Sequence, residues 1–244
     1  MVHVILTGAT GLVGSAVLAQ LLSSTSVTRV SILTRSPVAA AKGHAKANVV
    51  LHSDFSRYPS SVMDQLQDAD GCIWAQGKSS IGMTEKDYTE LTHDWPMEAA
   101  KAFGNTKDPS GKRFNFVYVS GEGADQTQTA RAMFGRIKGR TEKDLVDLAK
   151  DTHLSVYNLR PAGIDGSKSA SKPERARSMP ETMVGWLYPV IKAVAPQYHT
   201  PVDSLAKVAV DLATGDGQPI KIDAGVEADG RTLRNVGIRK LAGL

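Results

Sequence analysis

Three glycines follow a short apolar run in Val4-Ile5-Leu6-Thr7-Gly8-Ala9-Thr10-Gly11-Leu12-Val13-Gly14. Glycines at such places let a backbone turn sharply and approach a pyrophosphate, whose charge then rests on the N-terminus of the next helix. The order strand, glycine turn, amphipathic helix is what gives the spacing its meaning. A second feature lies just downstream. No Asp or Glu precedes Asp54, while Arg29, Arg35, Lys42 and Lys46 do occur there, and those four cations equal the whole net charge of +4. This excess suits a small anionic ligand near residue 35. Nucleic acid is a poorer fit, because no long basic stripe is interleaved with aromatics. The six histidines are scattered without metal-ligand spacing, so no metal site is expected.

These residues need a frame to position them. At 244 residues, 41% hydrophobic and 22% charged, the chain has an ordinary globular balance and ample length for a core. Short runs rich in Val and Ile predict strands near 2–7, 28–34, 48–52, 71–75, 113–119, 153–159 and 219–223. Helical patterns lie between them. Leu12, Val13, Ala16, Val17, Leu21 and Leu22 form one stripe, and Thr84 to Phe103 carries another that Pro96 should kink or divide. The longest runs from about Thr127 to Lys150, and a last helix is expected from Val202 to Leu212, followed by a short strand and a turn. Alternating β and α elements predict an α/β fold of the Rossmann type, a doubly wound parallel sheet with right-handed crossovers. Residues 1–244 read as one such domain. Within it, 163–200 reads as a small substrate-covering region, since Met179, Met183, Trp186, Leu187 and Tyr188 suit a linker poorly. A peripheral helix pair packed on the sheet is the equal alternative.

No segment is long and apolar enough to cross a bilayer. Val2 to Leu6 already reads as a strand, so no leader is expected. The lone Cys72 lies within a predicted strand as a core residue and excludes an internal disulfide framework. It suggests a reducing, cytoplasmic home.

The spacing G-x-x-G-x-x-G resembles the extended and atypical short-chain dehydrogenases/reductases. Ser120-Gly121-Glu122-Gly123-Ala124-Asp125, the run Lys138 to Lys143 and the ending Gly230-Arg231-Thr232-Leu233 look like small reductases of the Tat-interacting-protein type and related fungal NAD(P)-binding proteins. The resemblance implies that Gly8, Thr10, Gly11, Leu12, Val13 and Gly14 cradle a dinucleotide. NAD-selective members carry an acid at the end of the second strand. Here Arg35 stands at that place, which implies NADP(H). Asp54 and Phe55, after the third strand, match the Asp and apolar residue that related proteins place against the adenine. Ala75, Gln76 and Gly77 match the small motif flanking the cofactor, and Pro161, Ala162 and Gly163 match the turn that meets the nicotinamide.

The same family reduces carbonyls with a Ser and a Y-x-x-x-K pair. Ser120 and Lys138 stand at the expected places, but the residue four before Lys138 is Phe134. A phenyl ring keeps the shape and loses the acid. Glu122, Asp125, Tyr88, Tyr198 and His199 are the substitute donors to examine. The resemblance thus implies an NADP(H)-dependent oxidoreductase for a small organic substrate, natural products included, as a monomer or homodimer. A redox-neutral isomerase, dehydratase or cyclase, or a non-catalytic NADP(H) sensor, are the alternatives.

Overall fold

The computed structural model describes residues 2–104, 112–171, 173–174, 198–227 and 229–244. Strand β1 (Val2–Thr7) leads through the glycine turn into α1 (Leu12–Ser23). There follow β2 (Val27–Thr34), β3 (Ala47–Leu51), a one-turn α2 (Ser60–Met63) and β4 (Gly71–Trp74). The middle comprises α3 (Glu85–Thr89), a π turn at Glu90–Asp94, α4 (Trp95–Gly104), β5 (Phe114–Val119), α5 (Met133–Leu148) and β6 (Leu154–Arg160). Then come β7 (Gly163–Asp165), β8 (His199–Pro201), α6 (Val202–Thr214), β9 (Thr232–Arg234) and α7 (Asn235–Leu241).

Seven strands form one sheet in the order β3-β2-β1-β4-β5-β6-β9, with every pair parallel. This is the doubly wound Rossmann arrangement, and its winding reverses between β1 and β4. A crevice for a ligand opens there, beyond the carboxyl ends of the strands. Strand alternation sorts the core into two unlike layers. Val4, Leu6, Ile32 and Val117 face α1 and α6, where Val17, Leu21, Leu205 and Ala209 complete an almost wholly aliphatic cluster. Ile5, Trp74, Phe116 and Tyr118 face the other way, meeting Phe55, Phe103 and Leu145 in an aromatic one.

Four expectations change. Residues 219–223 form no strand; Ile222 is 64% exposed. The seventh strand is Thr232–Arg234, too short to carry an alternation of its own, and only Leu233 is an apolar residue buried in it. The expected C-terminal turn is instead α7, whose Gly237 lies so near Gly225 that a Cβ would sit 2.5 Å from that carbonyl. The 84–103 helix is not broken at Pro96: Glu85–Gly104 runs on through the π turn, and the Thr92 carbonyl one turn before the proline accepts from the hydroxyls of Tyr118 and Thr141 instead. Helix α5 begins at Met133 and not near 127, because the Asp125 carboxylate accepts from the backbone of Thr127, Thr129 and Ala130 and fixes a turn there. Of the 163–200 region, Met179, Met183, Trp186, Leu187 and Tyr188 lie outside the described residues. Its two ends are joined as β7 and β8, with Gly163 beside His199 and Asp165 beside Pro201.

Candidate functional site

At the crevice, the backbone turns on Gly8, whose φ is +72°, and a Cβ there would lie 2.5 Å from the Ala75 carbonyl oxygen. A Cβ on Gly14 would collide with the carbonyl of Gly8. The protein's own packing therefore demands both glycines. Gly11 differs. Its φ of −84° and ψ of 175° suit any residue, and a Cβ there would meet only the Gly8 oxygen, at 3.4 Å. It starts α1 with no side-chain cap and no acid in the first turn. The helix's first bond runs from Ser15 N–H to Gly11 at 2.9 Å, so Leu12, Val13 and Gly14 present N–H groups that have no acceptor within the helix. Thr10 sits half-buried in the turn. A glycine that the protein does not need, above uncapped donors, fits an approaching pyrophosphate. Gln76, whose backbone runs beside Gly8, supports the fit, since its Nε2 is buried without a partner among the described residues; Ala75 is half-buried and Gly77 exposed beside it.

Arg35 follows β2, exposed and without an ion pair to any described residue. Glu174 reaches this stretch, but its carboxylate accepts from Ala39 N–H at 2.7 Å and does not pair with Arg35. Asp54 accepts from the Ser56 hydroxyl and from Arg57 Nε, at 2.5 and 2.6 Å, and the Ser56 bond foremost holds its carboxyl below the usual range. Phe55 corrects an expectation. Its ring is wholly buried between Trp74 and Trp95, with centroids 5.8 and 5.6 Å away, so only its backbone is available to an adenine.

Ser120 ends β5 with its N–H on Leu159 at 2.8 Å. It is 3% exposed, and its Oγ has no partner among the described residues. Lys138, on α5, donates from Nζ to the Ser120 carbonyl at 2.6 Å. Burial lowers the Lys138 pKa to about 8 against the pull of Glu142, one turn on. Phe134, one turn before, rests its ring tip over Gly123, where a Cβ would lie 3.3 Å from Cζ. The turn Pro161–Ala162–Gly163 joins these three around a cavity of about 680 Å³. The segment after Ser120 lies flat on α5 because Gly135 and Gly139 leave room for the backbone of Gly123 and Asp125.

A buried network that the sequence did not reveal sets the turn. Glu142 is fully buried and accepts from Arg160 Nε at 2.9 Å and from its terminal nitrogen at 2.5 Å. Ala162 donates its N–H to Thr200 Oγ1 at 3.0 Å, and the Thr200 hydroxyl donates to Asn235 at 2.5 Å. The legible signal was a charged residue closing an apolar strand, with an acid four residues beyond Lys138.

Geometry also sorts the substitute donors. Glu122 spends one oxygen on Arg234 and the other on the Asn235 N–H, at 2.9 and 3.1 Å. Hydrogen bonds from Thr127 foremost hold the Asp125 carboxyl far below the usual range, so it carries no proton to give. His199 bonds Asp165 at 3.0 Å and does not line the cavity. Tyr198 stands at the rim, 61% exposed. Tyr88 touches the cavity but is 1% exposed, and burial raises its pKa. Among the described residues, no group of three or more His, Cys, Asp or Glu could hold a metal, and no helix is long and apolar enough to cross a membrane.

Lys138 makes the fold pH-sensitive in a definite direction. Its folded pKa, about 8, lies below the ordinary 10.5. The cost of burying the ammonium is therefore complete below pH 8 and relieved as pH rises toward 10.5. Wild-type stability in urea is expected to rise across that window by on the order of 1 kcal/mol. Lys138→Met should show no such rise, and identical pH profiles would refute the assignment.

Comparison with known proteins agrees with this geometry. The family model described as male sterility protein, an NAD-binding domain, matches residues 6–95. The leucinostatins biosynthesis cluster protein T of Purpureocillium lilacinum is 32% identical, over 97% of this chain and 94% of that one. The mitochondrial protein fmp52-1 of Aspergillus terreus is 28% identical over 86% of this chain and 87% of its own. Among solved structures, the Bordetella bronchiseptica enzyme WbmF, bound to NAD+ and UDP, superposes with a TM-score of 0.67 at 16% identity, covering 99% of this chain and 77% of that one. A short-chain dehydrogenase/reductase-family oxidoreductase of Burkholderia thailandensis gives 0.64 at 18%, covering 99% and 93%. The cytoplasmic expectation is overturned, since several fmp52 relatives are named mitochondrial. A lone buried thiol separates reducing compartments from oxidising ones, and does not separate one reducing compartment from another.

Proposed function

The chain belongs to the extended, atypical short-chain dehydrogenases/reductases, an NAD(P)-binding family of Rossmann proteins, and on that premise we propose that it is an NADP(H)-dependent oxidoreductase of a small organic substrate. One observation carries the redox reading: Ser120, Lys138 and the Pro161–Gly163 turn share a single cavity of about 680 Å³ at the ends of β5 and β6. That volume suits a drug-sized molecule. The biosynthesis-cluster relative supports a natural-product substrate.

In this reading the N–H groups of Leu12–Gly14 and the turn at Gly8–Thr10 hold the pyrophosphate. Asp54 and the Phe55 backbone flank the adenine, and Ala75–Gly77 border the dinucleotide. Pro161–Gly163 and Lys138 hold the nicotinamide end. When bound, the cofactor supplies or accepts a hydride. Residues 163–200 cover the substrate, a role supported by Gly163, Ile164 and Tyr198, which line the cavity from both ends of that segment.

Preference for the phosphorylated cofactor rests on Arg35, exposed and unpaired among the described residues, in a stretch with no acid before Asp54. A guanidinium there welcomes a 2′-phosphate. Arg35→Ala should weaken NADPH binding by about 1.5–3 kcal/mol, roughly ten- to hundredfold, and leave NADH nearly unchanged. Calorimetry that finds equal affinities in the wild type, or equal losses in the variant, would refute the preference.

A further inference from the structure

If the pocket reduces a carbonyl, some group must protonate the oxygen, and the phenol that the family uses is replaced by Phe134. Among the described residues, the carboxylate lining the cavity, Glu122, is spent on Arg234 and Asn235, and the nearby Asp125 on its own turn. Ser120 and Lys138 adjoin one another in the cavity wall, whose other polar side chains include Lys78, Ser79, Ser80 and Tyr88. Ser120 Oγ is buried in the cavity wall with no partner among the described residues. Lys138 Nζ lies 2.6 Å from the carbonyl of that same residue, and this bond uses one of its three N–H groups.

We propose that Lys138 is itself the proton donor, acting on a carbonyl oxygen that the Ser120 hydroxyl holds. This rests on the oxidoreductase reading. The carbonyl carbon receives the hydride that NADPH supplies, and the C=O π bond breaks. The oxygen takes a proton from Lys138, leaving the alcohol, NADP+ and a neutral amine. Solvent then reprotonates the amine. An ordinary lysine holds its proton too tightly at neutral pH for this work, but burial brings Lys138 to about 8. Glu142, from α5, pulls the other way; the titratable groups that share the cavity with Lys138 are Glu122 from the loop after β5, Tyr88 from α3, Lys78 from the loop after β4 and Tyr198.

Lys138→Arg tests the idea. Arginine keeps the charge and the reach toward ribose hydroxyls but does not release a proton in this pH range. The variant should bind NADPH within about threefold of wild type and lose roughly 10²–10⁴ in NADPH-dependent turnover of quinones and 1,2-diketones. The wild-type rate should fall above about pH 8, and that limb should vanish in the variant. Independently of turnover, side-chain NMR should show one lysine titrating near pH 8 in the apo protein, missing from Lys138→Arg. Ser120→Ala should lower turnover with NADPH binding kept. The proposal is overturned if Tyr88→Phe carries the larger loss, if no lysine titrates near 8, or if a wild type that binds NADPH reduces no carbonyl. Failure to bind NADPH at all would overturn the cofactor reading instead.

Discussion

Gly11→Val is expected to abolish NADPH binding while leaving the protein folded. The three glycines of the turn are unequal. Gly8 is held at φ +72° against Ala75, and Gly14 faces the Gly8 carbonyl with no room for a Cβ. Substituting either should damage the fold itself. Gly11 has ordinary extended dihedrals and a Cβ site in contact with one atom at 3.4 Å, so the apo protein should accept valine at little cost. The branched side chain would then stand over the N–H groups at the start of α1, where the pyrophosphate must lie. Ligand linkage gives the readout. Wild type at ~100 times its dissociation constant gains about 2.7 kcal/mol, seen as a rise in melting temperature, and the variant should gain none. Gly8→Ala and Gly14→Ala should instead lower the melting temperature without any cofactor. A folded Gly11→Val protein with a full NADPH shift would show that the cradle lies elsewhere.

Phe134→Tyr is expected to raise carbonyl reduction by about 10–10²-fold. The new phenol would stand one turn from Lys138, whose charge favours the phenolate and so makes the phenol a better acid. The gain should be smaller than the ~10²–10⁴ typical of adding a general acid to a site with none, because Lys138 already donates. Following NADPH absorbance over a panel of quinones and diketones decides the matter. A variant that binds NADPH yet is no faster, or slower, would mean that Phe134 packs against the substrate and that its ring cannot carry the proton.

Much of this site could be read from residue order alone. The glycine turn, the acid-free basic stretch and the alternation of elements placed the sheet and its crevice, because each has a local physical cause. What stayed hidden depends on long-range partners. Thr232–Arg234 is a strand only because β6 offers an edge to it. Phe55 looked like an adenine contact by position, yet the aromatic layer around Trp74 and Trp95 draws its ring inward. Arg160 and Glu142 lie 18 residues apart and declare their roles only when buried together. Glu122 and Asp125 looked like spare acids until their partners were seen.

The unequal layers of the core bear on how unfolding would be observed. Trp74 and Trp95 both sit on the aromatic side of the sheet against Phe55, Trp74 edge-on and Trp95 stacked. The aliphatic side, between the sheet and α1 and α6, contains Tyr157 and no tryptophan among its described residues. Emission from these two indoles therefore reports loosening of the α4 and α5 side. Detachment of α1, which carries the cofactor cradle, would leave that emission unchanged and would be visible in amide exchange instead.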